Sequence, residues 1–267
     1  MTTAQTAIER CRAEGRAALV GYLPAGYPDV DGSIAALRAM VAAGVDVVEI
    51  GLPYSDPVMD GPVIQQATEQ ALARGFRLRD LFRVVEAVAD VAPTLVMTYW
   101  NPVERFGVVE FAGALAAAGG AGLITPDLIP DEADAWLAAS DQHGLERVFL
   151  VAPSSTDERI ALTAKASRGF VYAASLMGVT GARDAVSSAG AALTARVRNA
   201  TTLPVGVGIG VSTGGQATEV AGYADAVIVG SAFVRRLLDA TDPAAGVDAV
   251  SALADELATG VRESTAR

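Results

Sequence analysis

The chain has 267 residues, of which 51% are hydrophobic and 19% are charged, and this balance excludes a disordered chain and predicts a sizeable buried core. The formal net charge of −11 argues against binding to nucleic acid or to an anionic membrane. It does not exclude a phosphorylated substrate, because backbone amides bind phosphate without any lysine.

The opening residues, MTTAQTAIERCRAEG, predict an amphipathic helix rather than a signal peptide, because they are polar and charged and contain no apolar segment. No strand precedes this helix, so we expect it to lie across the floor of the domain. It carries Cys11, the chain's single cysteine, which we expect to be a packing residue. One cysteine excludes a disulfide framework, which fits a cytoplasmic protein.

Eight short apolar segments follow, each closed by Gly, Pro or Asp and followed by a segment of helix-forming composition. In chain order they are ALVGYLPAG, VDVVEIGLP, TLVMTYWNP, GLITPDL, RVFLVAPSS, FVYAAS, PVGVGIG and AVIVGSA. Continuous apolar strands are typical of a parallel sheet that is covered on both faces. We therefore predict an α/β fold, a (β/α)8 TIM barrel with an extra N-terminal helix, as one domain over residues 1–267. A doubly wound open sheet is the alternative, but GYLPAGYPD is not its glycine-rich dinucleotide turn.

Acidic residues concentrate around the end of the second predicted strand, in VEIGLPYSDPVMDGP. Glu49 interrupts an otherwise apolar strand, and Asp60 lies in the loop that follows. The alternative roles are an ion-paired core residue for Glu49 and a turn residue for Asp60. In such barrels the chemistry takes place at the carboxyl ends of the strands, and this position favours a functional role for both carboxylates. Asp56, which precedes Pro57, is instead typical of a turn.

Glycine-rich segments follow the last three predicted strands: the last two start helices, and GVTGARD after the sixth adds Gly178 and Gly181 in a loop that we expect to be mobile. After strands seven and eight of these barrels, such segments commonly bind phosphate. Gly208, Gly210 and Gly230 permit a close backbone approach, and the amides near Ser212 and Ser231 can point at an anion. The glycines of any single loop could simply form the turn between a strand and a helix, but three such loops in succession indicate a phosphate site.

The side-chain inventory excludes several mechanisms. Lys165, the only lysine, lies in a predicted helix, which argues against a Schiff-base aldolase. His143, the only histidine, follows a helical segment, and without a His/Cys cluster a metal site is not expected. What remains is carboxylate acid–base chemistry on a phosphorylated substrate, without a cofactor or a metal.

These segments resemble the tryptophan synthase α chain family, in order, from about Leu19 to Leu237. The resemblance is carried by VEIGLPYSDPVMDGPVIQQA, GYLPAGYPD, GLITPDLIPDEA, LVAPSSTDERI, YAASLMGVTGAR and the two glycine-rich segments VGVGIG and VIVGSAFV. It implies aldol cleavage of indole-3-glycerol phosphate to indole and glyceraldehyde 3-phosphate.

The resemblance also implies the roles of the two acids. Glu49 matches the acid–base residue that protonates the indole carbon bearing the side chain and helps to deprotonate the side-chain hydroxyl. Asp60 matches the residue that hydrogen-bonds the indole N–H and stabilises the positive charge that develops on the ring. Desolvation raises the proton affinity of Glu49, whereas Asp60 must stay ionised and is expected in a more polar setting.

The other implied site residues surround the indole or the phosphate. They are Tyr22, Tyr99 and Tyr172 in the indole pocket, Thr180 in the sixth loop, which engages Asp60, and Gly181, Gly210, Gly230 and Ser231 at the phosphate. Core packing is the alternative role for each tyrosine.

The resemblance implies a partner as well, a tryptophan synthase β chain in an α2β2 complex that receives indole through a tunnel. Pyridoxal phosphate would belong to that partner, because no strand-borne lysine here can anchor it. The segments PYSDPVMDGP and GVTGARDAVSSAG would form much of the interface, and the second would close as a mobile loop over the site.

Three other interpretations stay open. A stand-alone lyase that releases free indole would use the same residues and would differ only in its independence of a β chain. A weakly catalytic regulatory subunit would have no use for a desolvated acid at Glu49. Another phosphate-binding barrel of amino-acid biosynthesis, such as an isomerase, is disfavoured by the absence of a strand-borne Lys or Cys.

Overall fold

Parallel strands and helices alternate around a closed barrel in the computed structural model, which describes residues 2–174 and 183–264. Strands pair in sequence order, and the eighth closes the barrel against the first. The strands are β1 (Ala18–Pro24), β2 (Val47–Gly51), β3 (Thr94–Met97), β4 (Gly122–Thr125), β5 (Glu146–Val151), β6 (Val171–Ala174), β7 (Val205–Gly208) and β8 (Ala226–Val229). Seven of them lie within the predicted apolar segments, and β5 begins one residue before its segment, at Glu146. The predicted barrel is confirmed.

Twelve α-helices lie within the described ranges, with a 3-10 turn at Pro130–Glu132. The helices are α1 (Ala4–Ala13), α2 (Val30–Ala42), α3 (Pro62–Ala73), α4 (Leu78–Glu86), α5 (Trp100–Phe106), α6 (Val108–Ala117), α7 (Asp134–His143), α8 (Asp157–Ala166), α9 (Arg183–Ala200), α10 (Gly214–Ala221), α11 (Ser231–Leu238) and α12 (Pro243–Arg262).

The strand–helix units are less regular than the sequence predicts, because β2, β3 and β8 are each followed by two helices. Gly75 and Gly107 adopt positive φ values of 92° and 101°, which end α3 and α5 and allow a second helix to start in a new direction. Asp242 caps α12 by accepting the Ala245 N–H, and Pro243 occupies the first turn.

The segment after β6 is helical earlier than predicted. GVTGARDAVSSAG was expected to form a loop, but α9 already begins at Arg183. The Ala-rich composition from Ala185 onwards favours helix over loop, and it extends the helix towards its N-terminus. The first part of the expected loop lies outside the described residues.

Helix α1 closes the amino-terminal end of the barrel, as predicted. Its apolar side, which includes Ile8 and the buried Cys11, packs on the inward side chains of the strands. The Glu146 carboxylate, at the start of β5, accepts the N–H groups of Ala4 and Gln5 at 2.9 Å each. A carboxylate at a helix N-terminus satisfies donors that the helix itself leaves unpaired, and so it anchors α1 to the barrel.

Inward and outward side chains alternate along the strands and divide the apolar interior into two clusters. The inward cluster fills the lower barrel and includes Val20, Val47, Leu95 and Phe170. The larger outward cluster packs between the strands and the surrounding helices. Within the described ranges, the helices all lack the combination of length and apolar character that crossing a bilayer requires. The space above the inward cluster, at the carboxyl ends of the strands, is where the functional residues meet.

Candidate active site

A cavity of about 290 Å³ opens at the carboxyl ends of the strands, directly above the inward apolar cluster. It is lined by seven of the predicted site residues, namely Glu49, Asp60, Tyr22, Tyr172, Gly210, Gly230 and Ser231. A second cavity of about 310 Å³ lies outside the barrel, but its carboxylates, Asp29 and Asp242, cap the N-termini of α2 and α12. Of these two cavities, the barrel cavity is therefore the one whose carboxylates do not serve as helix caps.

Glu49 lies in the middle of β2 and points into the barrel. Its backbone is held on both sides, in register with Tyr22 on β1 and Leu95 on β3. The residue is 1% exposed, and its Oε2 atom has no hydrogen-bond partner among the described residues. Burial raises the pKa of Glu49 from 4.5 to about 8, because the ionised form loses its hydration. The side chain therefore holds a proton near neutral pH.

Asp60 lies in the loop between β2 and α3 and is only partly buried. The Tyr99 hydroxyl donates a hydrogen bond to Asp60 Oδ1 at 3.0 Å. Burial raises the pKa of Asp60, and the hydrogen bond from Tyr99 acts in the opposite direction by stabilising the carboxylate. Asp60 thus has the more polar setting of the two acids, as expected, although burial still displaces its pKa upwards.

Tyr22 on β1 and Tyr172 on β6 line the cavity wall, and each packs against a glycine. A Cβ atom at Gly208 would lie 2.5 Å from the Tyr172 hydroxyl, and one at Gly51 would collide with the Tyr22 hydroxyl. Glycine inside a strand commonly marks such a close approach. Gly51 is not among the predicted site residues, although its period-2 spacing from Glu49 indicates that it faces the barrel interior.

Tyr99 is buried beside the main cavity, in a small adjoining pocket that it shares with Tyr22 and Asp60. Its ring lies against that of Tyr54, with centroids 5.4 Å apart. The Asn101 side-chain amide donates to the Tyr54 hydroxyl at 2.9 Å. These contacts connect the β2–α3 loop to the start of α5, a connection that the sequence patterns do not predict.

The end of the cavity at which the sequence predicts a phosphate is formed by the turns after β7 and β8. Gly210 has a positive φ of 78°, and Gly230 is the N-cap of α11, whose first residue is Ser231. A helix N-terminus presents free N–H groups and a partial positive charge to an anion. The amide of Ser212, a predicted contributor, instead donates to Gln216 Oε1 at 2.8 Å.

Several predicted residues lie elsewhere. Thr180 and Gly181 fall outside the described residues. Lys165 is exposed on α8, and His143 ends α7, as the sequence indicates. Among the described residues there is no cluster of three or more His, Cys, Asp or Glu side chains that could hold a metal ion.

Large apolar side chains make up most of the remaining cavity wall, and none of them is among the site residues predicted from the sequence. They are Met59, Ile64, Met97, Leu150, Ile209 and Ile228. The inward alternation of the strands could have identified Met97, Leu150 and Ile228. A cavity with an apolar wall, one buried acid that holds a proton and one partly exposed, hydrogen-bonded acid suits a flat aromatic substrate that must gain a proton.

Comparison with known sequences gives consistent matches over nearly the whole chain. A family profile described as tryptophan synthase alpha chain matches residues 8–262. The tryptophan synthase alpha chain of Acidothermus cellulolyticus is 63% identical over 267 residues, which cover 100% of this chain and 99% of that protein. The tryptophan synthase alpha chain of Nocardia farcinica is 64% identical over 255 residues, covering 95% and 94%.

Solved structures give the same result for the fold. A structure of Mycobacterium tuberculosis tryptophan synthase superimposes with a TM-score of 0.90 at 56% identity, covering 98% of this chain and 99% of that one. A mutant tryptophan synthase alpha-subunit from Pyrococcus furiosus superimposes with a TM-score of 0.82 at 32% identity, covering 91% and 98%.

Proposed function

The chain belongs to the tryptophan synthase alpha chain family, and from this premise we propose that Glu49 and Asp60 carry out its aldol cleavage. That reaction converts indole-3-glycerol phosphate into indole and glyceraldehyde 3-phosphate, which makes the chain a carbon–carbon lyase. The observation that carries the residue assignment is the placement of a buried acid and a partly buried, hydrogen-bonded acid in one cavity with the N-terminus of α11.

Glu49 acts first as a general acid. It transfers its proton to the indole carbon that bears the glycerol phosphate side chain, which turns the ring into an iminium-like electron acceptor. Its carboxylate then takes the proton of the adjacent side-chain hydroxyl. As that carbon becomes an aldehyde, the bond to the ring breaks, and its electron pair restores neutral indole. Glu49 ends the cycle protonated, and a pKa of about 8 suits both transfers near neutral pH.

Asp60 acts on the other side of the ring. Its carboxylate accepts the hydrogen bond of the indole N–H and stabilises the positive charge that protonation places on the ring. This role requires the ionised form, which the hydrogen bond from Tyr99 favours. The two acids thus divide the work because one is held neutral and the other charged.

The remaining assignments follow from the cavity wall. Tyr22, Tyr99 and Tyr172 shape the indole side together with the apolar residues, and Gly210, Gly230 and Ser231 hold the phosphate at the N-terminus of α11. Thr180 and Gly181, known only from the sequence, complete these two groups as a contact to Asp60 and to the phosphate.

A β chain is the proposed partner, in an α2β2 complex to which indole passes directly. The exposed apolar side chains Val58 and Met59 beside the cavity support a docking surface at this face. This chain uses no cofactor in the cleavage, since the protonated ring accepts the electron pair, and pyridoxal phosphate belongs to the β chain. Cytoplasmic location is proposed from the biosynthetic role and the single cysteine.

The test measures release of glyceraldehyde 3-phosphate from indole-3-glycerol phosphate by the purified chain, alone and with a β chain. We expect weak activity alone and a sharp increase with the β chain. High activity alone that the β chain does not change would favour a stand-alone lyase. No activity in either assay, with the chain folded, would contradict the proposed assignment.

Two variants test the residues. Glu49→Gln should abolish cleavage while phosphate-ligand binding persists, and Asp60→Asn should slow cleavage by about a hundredfold or more, in the range typical of lost electrostatic stabilisation. Glu69→Gln, which removes an exposed carboxylate on α3, is the matched control and should keep the native rate. Normal turnover by the Glu49 variant would contradict the mechanism, and an unchanged rate for the Asp60 variant would return that residue to a structural role.

A further inference from the structure

The Tyr99 hydroxyl makes two hydrogen bonds to the β2–α3 loop, at neighbouring residues. It donates to Asp60 Oδ1 at 3.0 Å and accepts the Met59 backbone N–H at 2.9 Å. We infer that Tyr99 is a positioning residue, which fixes the Asp60 carboxylate in its ionised form at the place where it meets the indole N–H. This inference rests on the proposed role of Asp60.

The ring of Tyr99 is itself anchored to rigid elements. Tyr99 is the N-cap of α5, two residues after β3, and it is 6% exposed. The next residue, Trp100, donates its N–H to both oxygens of Asp127, at 2.9 and 3.1 Å, so a carboxylate from the end of β4 caps the helix. The Tyr99 hydroxyl is therefore carried by rigid elements, and it hydrogen-bonds to the β2–α3 loop.

The loop has few other anchors near Asp60. Val58 is 78% exposed, and Met59 is 42% exposed, so their side chains contribute little burial to hold the segment. Gln65, in the first turn of α3, donates to the backbone oxygen of Asp60 at 2.8 Å, but this bond does not reach the carboxylate. Tyr99 is thus the described contact that controls the position of the carboxylate itself.

The same hydrogen bond also affects the charge of Asp60. Among the described residues, the titratable groups that face its carboxylate are Tyr99, Tyr22 on β1 and Glu49 on β2. Burial keeps Glu49 and Tyr22 neutral, and neither kind of group can carry a positive charge, so neither opposes the desolvation of Asp60. Among the described residues, the Tyr99 hydroxyl is therefore the hydrogen-bond donor that stabilises the ionised form of Asp60.

The test is Tyr99→Phe in the complete chain, assayed with its β chain across a range of pH. We expect kcat at neutral pH to fall about 10–100-fold, the range of a lost hydrogen bond to a charged group, with a smaller change in KM. Because Asp60 loses a donor to its ionised form, its pKa rises and the acidic limb of the kcat/KM profile should move to higher pH. The position of that limb does not depend on the folded fraction, so a variant that folds in poor yield still tests the inference.

Two comparisons separate this inference from the proposed function. Tyr27→Phe deletes the hydroxyl of another buried tyrosine, one that does not line the barrel cavity, and should leave the profile unchanged. In an Asp60→Asn background, Tyr99→Phe should have almost no further effect, because a residue that acts through Asp60 cannot add to its loss.

The outcomes are distinct. If Asp60→Asn alone keeps the native rate, the proposed role of Asp60 fails. If Asp60→Asn slows cleavage but Tyr99→Phe changes neither kcat nor the acidic limb, only the positioning role fails. A rise in KM alone, with the limb unmoved, would assign Tyr99 to direct substrate contact instead.

Discussion

Glu49 should destabilise the fold in which it acts, and its replacement by glutamine should reveal this. The native carboxyl is 1% exposed, and burial raises its pKa from 4.5 to about 8. Glutamine has nearly the same shape as the protonated acid but cannot ionise. We therefore expect Glu49→Gln to be inactive and, at alkaline pH, more stable than the native chain.

The magnitude follows from proton linkage. Below the unfolded pKa, both folded and unfolded chains carry the proton, and the carboxyl imposes no pH-dependent penalty. Between the two pKa values only the unfolded chain releases the proton, so the free energy of unfolding falls by about 1.4 kcal/mol for each pH unit. The loss reaches about 3 kcal/mol near pH 7 and levels off at about 5 kcal/mol above the folded pKa.

Urea unfolding of the native chain and of Glu49→Gln, from about pH 5 to pH 9, measures this difference. The stability gap should be small at the acidic end, widen through neutral pH and level off near pH 8. Glu69→Gln, at an exposed site, should follow the native curve at every pH. A gap that does not change with pH would show that Glu49 is ionised in the folded chain, and it would refute the proton-donor assignment along with it.

Two further predictions concern the cavity wall and the barrel floor. Gly208→Ala would place a Cβ atom 2.5 Å from the Tyr172 hydroxyl, so the ring must move and KM should rise about tenfold. Gly215→Ala, where the new atom has no neighbour within 4 Å, is its control, and equal KM values for the two variants would contradict the argument. Glu146→Ala removes the acceptor of two α1 amides and should lower the free energy of unfolding by about 2 kcal/mol. Urea unfolding and protease cleavage near the N-terminus would detect that loss, and native resistance in both would show that apolar packing alone holds α1.

The barrel was predictable because its strands are buried on both faces and therefore read as continuous apolar segments. Glu49 stood out for the same reason, as a charged residue within such a segment. The two helices that follow each of β2 and β3 were not predicted. Glycine permits a positive φ but does not require one, so the sequence alone does not show that the chain turns at Gly75 and Gly107. The prediction for the start of α9 was wrong, because the glycines near it suggested a loop.

The hydrogen bond between Tyr99 and Asp60 could not be predicted for a different reason. The two residues are 39 positions apart, and nothing in either local pattern specifies that they meet. Amides near Ser212 were predicted to point at an anion because they follow β7, but the Ser212 amide itself donates to the side chain of Gln216, four residues later. Patterns along a chain locate elements well, whereas competition between nearby partners is settled only in three dimensions.

The difference between the two acids can be explained by the elements that carry them. A carboxyl on a loop can relax towards water and recover an ordinary pKa, so a loop is a poor place to hold a proton against ionisation. Glu49 cannot relax in this way, because β2 pairs with β1 and β3 on either side of it. Asp60 is proposed to act in the ionised form, and its partial exposure opposes the upward shift that burial gives its pKa, but a loop leaves its position loosely defined. A neutral donor such as the Tyr99 hydroxyl supplies both position and charge stabilisation, whereas a cation would compete with the indole ring for the carboxylate.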